Sequence, residues 1–288
     1  MTLRGALMCG GLCVVAAGAA MAVTAPAGDR SADIALPTNQ LSPPVNSDVQ
    51  RQMSADSQDL AQFKDRHGLW HVGLWNELTG TPVRAFGEPV QVVQGAVTEQ
   101  TVAAAAERFI DANRDMFRIG MDELELVQIR LRRDTYYVFF QQVYNGTPVY
   151  NSVVNVKIDT QGRLFAFGSE VHPEVAVHPW PAISEAQAEM SAINGLTFDA
   201  GTDQTRTEGM VVMPVPWEDG YGYFLTYEVD VAFAGEGTGY VAYVNAADGE
   251  ILWRYSKEFH INFTGNTDGP VVLDDDPFPA RLKEAGAV

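Results

Sequence analysis

Five histidines, His67, His71, His172, His178 and His260, are the side chains of this chain best suited to hold a metal. His67 and His71, four apart in "HGLWH", come nearest to a ligand spacing. On a helix such a pair shares one face. The glutamate that follows the first histidine in the H-E-x-x-H zinc motif is missing, however. The surrounding pattern reads as strand or loop, where residues i and i+4 stand about 13 Å apart. His172 and His178 each precede a proline, which forces an extended chain, and His260 is isolated. Neither a metal site nor a cofactor is expected.

The other sources of chemistry are equally bare. There is no G-x-S-x-G elbow and no phosphate-binding G-x-x-x-x-G-K-[ST] loop. The carboxylates are too numerous, at 37, for any one pair to point to acid–base work. Asp274 to Asp276 lacks the spacing of an EF-hand loop and reads as a solvated turn. Asn262 begins an N-x-T sequon, which matters only in a eukaryotic secretory host. "IDTQG" and "NAADG" are hairpin-turn sequences. The reading is of a protein that is not an enzyme.

Composition bounds the partners. The 288 residues are 46% apolar, enough for a sizeable core, and carry a net charge of −18, which would repel a nucleic-acid backbone. Arg4, the apolar run "GALMCGGLCVVAAGAA" and the small residues of "AMA" ending at Ala22 have the form of a secretory signal peptide over residues 1–22. A membrane span needs about 20 predominantly apolar residues, and polar residues resume soon after Ala22. Cys9 and Cys13 both fall inside that segment, so the mature chain has no thiol chemistry and no disulfide. A secreted protein, extracellular or periplasmic, with no membrane partner after cleavage, is expected.

The elements that position these side chains can be read along the chain. Residues 23–59, rich in Pro, Ser, Asn and Asp, read as a poorly ordered linker. "LWHVGLWNELTGTPVRAFG" reads as a hairpin turning at Thr79–Gly80, with Pro82 near the start of its second strand. Thr98 caps a helix whose apolar stripe includes Val102, Ala106, Phe109, Ile110 and Phe117, and Gly120 is its expected left-handed terminator. "LELVQIRL" and the three segments of "YYVFFQQVYNGTPVYNSVVNVKIDTQGRL" follow as strands. Prolines from Pro173 to Pro181 mark a boundary. Beyond it, Ser184 and Gln187 form an S-x-x-Q capping box, and a helix, then strands, extend to Phe259.

The two halves echo one another. Thr98 and Ser184 are 86 residues apart; Tyr136 and Tyr223, and the turn glycines Gly162 and Gly249, are each 87 apart. That predicts an α+β fold of two tandem units, each a helix packed on an antiparallel sheet whose alternating strands offer it one apolar face.

The segment Phe140-Gln141-Gln142-Val143-Tyr144, followed by "NGTPVY" and the Asp159-to-Gly162 turn, resembles the fungalysin/thermolysin propeptide domain of secreted zinc metallopeptidases. "LTYEVDVAF" and "GYVAYVNAADGEILWRY" are similar to the PepSY domain that commonly follows it. The resemblance implies two cystatin-like units, a propeptide-like domain over 60–175 with its leading hairpin and a PepSY-like domain over 180–260. Residues 261–288 would then be a tail or the start of a further region. It also implies an intramolecular chaperone and inhibitor whose partner is a zinc metallopeptidase catalytic domain, in cis or in trans. The alternatives are a freestanding secreted PepSY-type binding module and a trans-acting protease inhibitor. No H-E-x-x-H occurs in the chain, so it is part of a longer precursor or a module that stands alone. The matching residues are Gln141, Gln142, Tyr144, Asn145, Gly146, Pro148, Tyr150, Asp159, Gly162, Asp248 and Gly249. Their evident task is backbone geometry, with peptidase contact as a second role implied by the family.

Overall fold

The structure, a computed structural model, describes residues 45–178, 180–217, 220–234 and 239–257. The signal segment, His260, Asn262 and Asp274–Asp276 lie outside the described residues.

Two short helices come first. α1 (Ser47–Asp56) is capped by Asn46, whose side chain accepts from the N–H groups of Asp48 and Val49. Ser57 ends α1 and caps α2 (Gln58–His67), accepting from the Leu60 N–H at 3.1 Å. The linker expected through residue 59 is therefore helical from Ser47. The apolar pattern misses α1 because none of its residues is buried. Polar bonds attach it to the edge of β1 (Trp70–Trp75) instead: Gln50 Oε1 accepts from the Trp75 N–H at 2.7 Å, Gln50 Nε2 donates to the Trp75 carbonyl at 3.0 Å, and Ser54 accepts from the Trp75 indole.

β2 (Pro82–Gln91) pairs with β1, and α3 (Glu99–Ala112) follows from the Thr98 cap, closed into a capping box by Thr101. Val102, Ala105, Ala106, Phe109 and Ile110 form its buried stripe. The helix does not run on to Gly120. Asn113 ends it by donating its side-chain amide to the Phe109 carbonyl, and a one-turn helix, α4 (Arg114–Phe117), succeeds it. The left-handed residue is Arg118, at φ 58°, whereas Gly120 sits at φ −94°. A Cβ on Gly120 would meet only the Asp122 carboxylate, the far end of an exposed side chain that can swing aside, so neither backbone conformation nor space demands a glycine there.

Four antiparallel strands come next: β3 (Leu124–Arg132), β4 (Thr135–Tyr144), β5 (Thr147–Asp159) and β6 (Arg163–Ser169). β2 joins β6, so the first part of the sheet runs β3-β4-β5-β6-β2-β1. Its inward residues, among them Val138, Phe140, Val154, Val156, Ile158 and Phe167, close over α2, α3 and α4 in one core. The second half repeats the succession. α5 (Glu185–Ala192), with the Ser184–Gln187 capping box, precedes the antiparallel strands β7 (Gln204–Trp217), β8 (Gly220–Ala232), β9 (Gly239–Asn245) and β10 (Ile251–Ser256). Ala188 and Ala192 let α5 lie close on Leu225, Tyr227, Val229 and Val244. The buried Arg254 side chain closes the helix C-terminus, donating to the carbonyls of Ala192 and Asn194 at 3.0 and 2.6 Å.

The fold is thus α+β, with few helices on a large sheet. The halves are not separate sheets, as two independent units would be. The start of β5 pairs in parallel with β7 at Val149 and Val212, joining all ten strands. No described helix is long and apolar enough to cross a membrane.

Candidate functional site

The junction between the two parts of the sheet is made by the β4–β5 hairpin. Asn145 and Gly146, at φ 49° and 78°, form a two-residue turn that sets Tyr144 opposite Thr147 and Val143 opposite Pro148. The next pair is Gln141 with Val153, so four residues, 149–152, bulge opposite Gln142. Asn151 takes the left-handed φ of 50° within that bulge. The Gln141 side-chain amide answers the freed carbonyls, sitting at 3.0, 2.6 and 2.9 Å from those of Gln142, Val149 and Ser152. Val149 is thereby delivered to β7 and the second core, where Tyr144 also packs. Tyr150 lands on the other face of the second sheet, edge-on to Tyr243 and Trp253.

Gln142 is wholly buried and ties in the segment that links the halves. Its Oε1 accepts from the His172 N–H at 2.9 Å and from the Ser152 hydroxyl, and its Nε2 donates to the His172 carbonyl at 2.8 Å. The His172 ring then stands edge-on to Tyr221 at 4.5 Å and to Tyr223 at 5.6 Å, with Nδ1 3.4 Å from the Tyr223 hydroxyl. Asn76, in the β1–β2 turn, donates to the Tyr221 hydroxyl at 3.3 Å. Burial pushes the imidazole down to about 4 and the Tyr223 phenol up to about 12. At neutral pH the ring is uncharged and the phenol keeps its proton.

Beside this cluster opens a cleft of about 490 Å³, lined by Glu77, Gly80, Arg118, Glu174, Tyr221 and Tyr223. Glu77 is already engaged, accepting at 2.8 Å from both the Asn46 N–H and Gln50 Nε2. The Arg118 guanidinium lies over the β1–β2 turn, where a Cβ on Gly80 would meet it at 2.7 Å. His172, its backbone pinned and its ring set against two others, is placed to join structural parts. Among the described residues no group of three or more His, Cys, Asp or Glu side chains could hold a metal ion.

The residues expected from sequence fall in three places. Gln141, Gln142, Tyr144, Asn145, Gly146, Pro148 and Tyr150 meet at the junction. Asp159 and Gly162 build the β5–β6 turn, where Asp159 accepts from the N–H groups of Gln161 and Arg163 and pairs with the Arg163 guanidinium at 2.7 Å. Burial raises the Asp159 carboxyl, but those donors outweigh it and the net shift is downward. Asp248 and Gly249 build the matching β9–β10 turn, with Asp248 accepting from the Glu250 N–H and Gly249 at φ 81°. His67 ends α2 and lies 2.9 Å from Asn113 Oδ1, while His71 lies in β1. In the sequence His172 reads only as a candidate metal ligand and Tyr223 only as a repeat landmark, and Tyr221 and Asn76 carry no signal of their own; the four meet only through the fold. The available signal was a joint one, the paired tyrosines of "YGY" close to a proline-flanked histidine once the halves are joined.

Residues 130–171 match the fungalysin/thermolysin propeptide motif. The match ends one residue before His172 and contains the whole β4–β5 hairpin. Bacillolysin from Brevibacillus brevis is 25% identical over 185 residues, which are 60% of this chain and 34% of that protein. The chain thus spans about a third of the length of that curated relative. The C-terminal domain of Bacillus megaterium YpeB is 14% identical, covering 74% of this chain and 97% of that domain at a TM-score of 0.34. That score is too low to assign a shared fold.

Proposed function

We propose that this chain is the non-catalytic pro-region of a secreted metallopeptidase, acting as its folding assistant and inhibitor. The observation that carries the proposal is the propeptide motif over 130–171, which coincides with the hairpin joining the two parts of the sheet. The similarity to bacillolysin over 60% of the chain supports the same reading. Within it, residues 60–175 and 180–260 act as two cystatin-like units, the second of PepSY type, and residues 1–22 direct secretion. The physical mechanism is linkage. A folded surface that binds the near-native peptidase and not its unfolded chain stabilises it in proportion to the logarithm of its own effective concentration. Occupation of the cleft holds the enzyme inactive until the pro-region is removed.

The test is to refold a denatured thermolysin-type peptidase with and without an equimolar amount of this protein, and to titrate the protein against the folded enzyme. A higher yield of active enzyme together with dose-dependent inhibition is expected. If neither changes across a panel of such peptidases, the proposal is wrong.

A further inference from the structure

The outer face of the first sheet, opposite α2, α3 and α4, has no described helix on it. Strand alternation sends Val138, Phe140, Val154 and Val156 inward and Tyr137, Phe139, Asn155 and Lys157 outward. In the middle of that face β6 offers only Ala166 and Gly168. Gly168 has no room for a side chain, because a Cβ there would stand 2.4 Å from the Val83 carbonyl and 2.7 Å from Asn155 Nδ2. These small residues leave a trough of about 300 Å³, walled by Arg84 and Phe86 of β2 and by Asn155 and Lys157 of β5.

The register places the cations. Lys157 is paired with Ala166, and Ala85 with Phe167, which sets Arg84 beside Gly168. The two basic residues therefore flank the trough from opposite sides, two residues apart along β6, or about 6.6 Å. Lys157 lies over the Tyr137 ring at 5.6 Å. One carboxylate, Glu170, stands at the trough's end, where desolvation raises its affinity for a proton and Arg84 opposes that shift.

We propose that this trough is a docking site for an extended acidic segment of a partner protein, with Arg84 and Lys157 receiving its carboxylates. Alternate side chains of an extended strand project to one side about 6.6 Å apart, which matches the axial offset of the two cations. The apolar floor and the Phe86 ring accommodate the stem of the segment. The inference does not depend on the partner being a peptidase.

The experiment uses the full chain at about 0.15 M ionic strength, where screening beyond about 8 Å leaves local pairs but removes most of the long-range repulsion. The probe is a fluorescein-labelled, end-capped octapeptide of alternating Glu and Val, compared with the same peptide carrying Gln for Glu. Anisotropy should show the Glu peptide binding and the Gln peptide binding at least tenfold more weakly. Arg84→Gln and Lys157→Gln should each weaken binding by roughly twofold to fivefold. Ala166→Leu, which fills the trough without altering charge, should abolish it while circular dichroism stays unchanged. Arg118→Gln, in the junction cleft, should have no effect. Equal binding of the two peptides, absence of binding by the Glu peptide, or indifference to all three trough variants would overturn the proposal. So would light scattering that shows the chain dimerising through this face.

Discussion

The side chain of Gln142 holds the backbone of His172 as a neighbouring strand would, accepting from its N–H at 2.9 Å and donating to its carbonyl at 2.8 Å. Thirty residues separate the two, and through this pair the segment between the halves is bonded to β4. Gln142→Ala would leave the His172 N–H, the His172 carbonyl and the Ser152 hydroxyl without their buried partner. Each buried polar group left unpaired costs about 1–3 kcal/mol, so a loss of at least about 2 kcal/mol is expected. Urea denaturation measures it directly, and a midpoint within error of the parent would show that the bonds are replaced by water.

The His172 ring makes the same junction sensitive to acid. Its pKa is near 6.5 in the unfolded chain and about 4 in the folded one, so between those values the unfolded chain binds more protons. Stability from this residue is complete above about pH 6.5, falls as the pH is lowered through that window, and is lost below about 4. The full difference corresponds to about 3 kcal/mol. His172→Gln removes the titration, so stability should fall less between pH 7 and pH 4 in the variant than in the parent. Parallel curves for the two proteins would place the acid sensitivity elsewhere.

Two glycines share one backbone conformation and differ in their surroundings. Gly146 and Gly162 both have φ 78°, but a Cβ at Gly146 meets nothing within 4 Å, whereas at Gly162 it would stand 2.8 Å from both Val93 Cβ and the Val93 carbonyl. Gly146→Ala should cost about 1 kcal/mol, the strain of a left-handed alanine. Gly162→Ala adds overpacking, bringing its total to roughly 2–4 kcal/mol. Thermal denaturation should order the melting temperatures parent, Gly146→Ala, Gly162→Ala. The reverse order would mean that the β5–β6 turn relaxes more readily than its contacts imply.

What could be read from the sequence follows from the range of each signal. The β4–β5 turn, the N-cap at Thr98, the capping box at Ser184 and the alternation of β4 and β5 are local, and all stand in the structure. The matched glycines Gly162 and Gly249 also adopt one conformation, at φ 78° and 81°. The parallel pairing of Val149 with Val212 is not local: 63 residues separate the partners, and each segment taken alone reads as an ordinary strand. Gln141 and Gln142 were legible as a motif, but their work was not: Gln141 bonds carbonyls at the bulge, and Gln142 holds the His172 backbone thirty residues away. α1 escaped for the opposite reason, since apolar periodicity reports burial and no residue of this helix is fully buried, Met53 alone packing partly against the core.

α1 therefore depends on Gln50. Its amide makes both bonds of a strand neighbour to Trp75, accepting at 2.7 Å and donating at 3.0 Å, and so covers part of an edge of the sheet. Glu77 reinforces the attachment by accepting from Gln50 Nε2 and from the Asn46 N–H ahead of the helix. Gln50→Ala removes both bonds to the Trp75 backbone and leaves the Ser54–indole bond and the half-buried Met53 as the remaining hold, so α1 should detach while the core formed with α2 persists. Global stability should fall by only about 1–2 kcal/mol. Protection of the Trp75 amide against hydrogen exchange should fall much further, and the exposed β1 edge should raise the tendency to aggregate. Unchanged protection at Trp75 would show that Ser54 and Glu77 suffice to hold the helix in place.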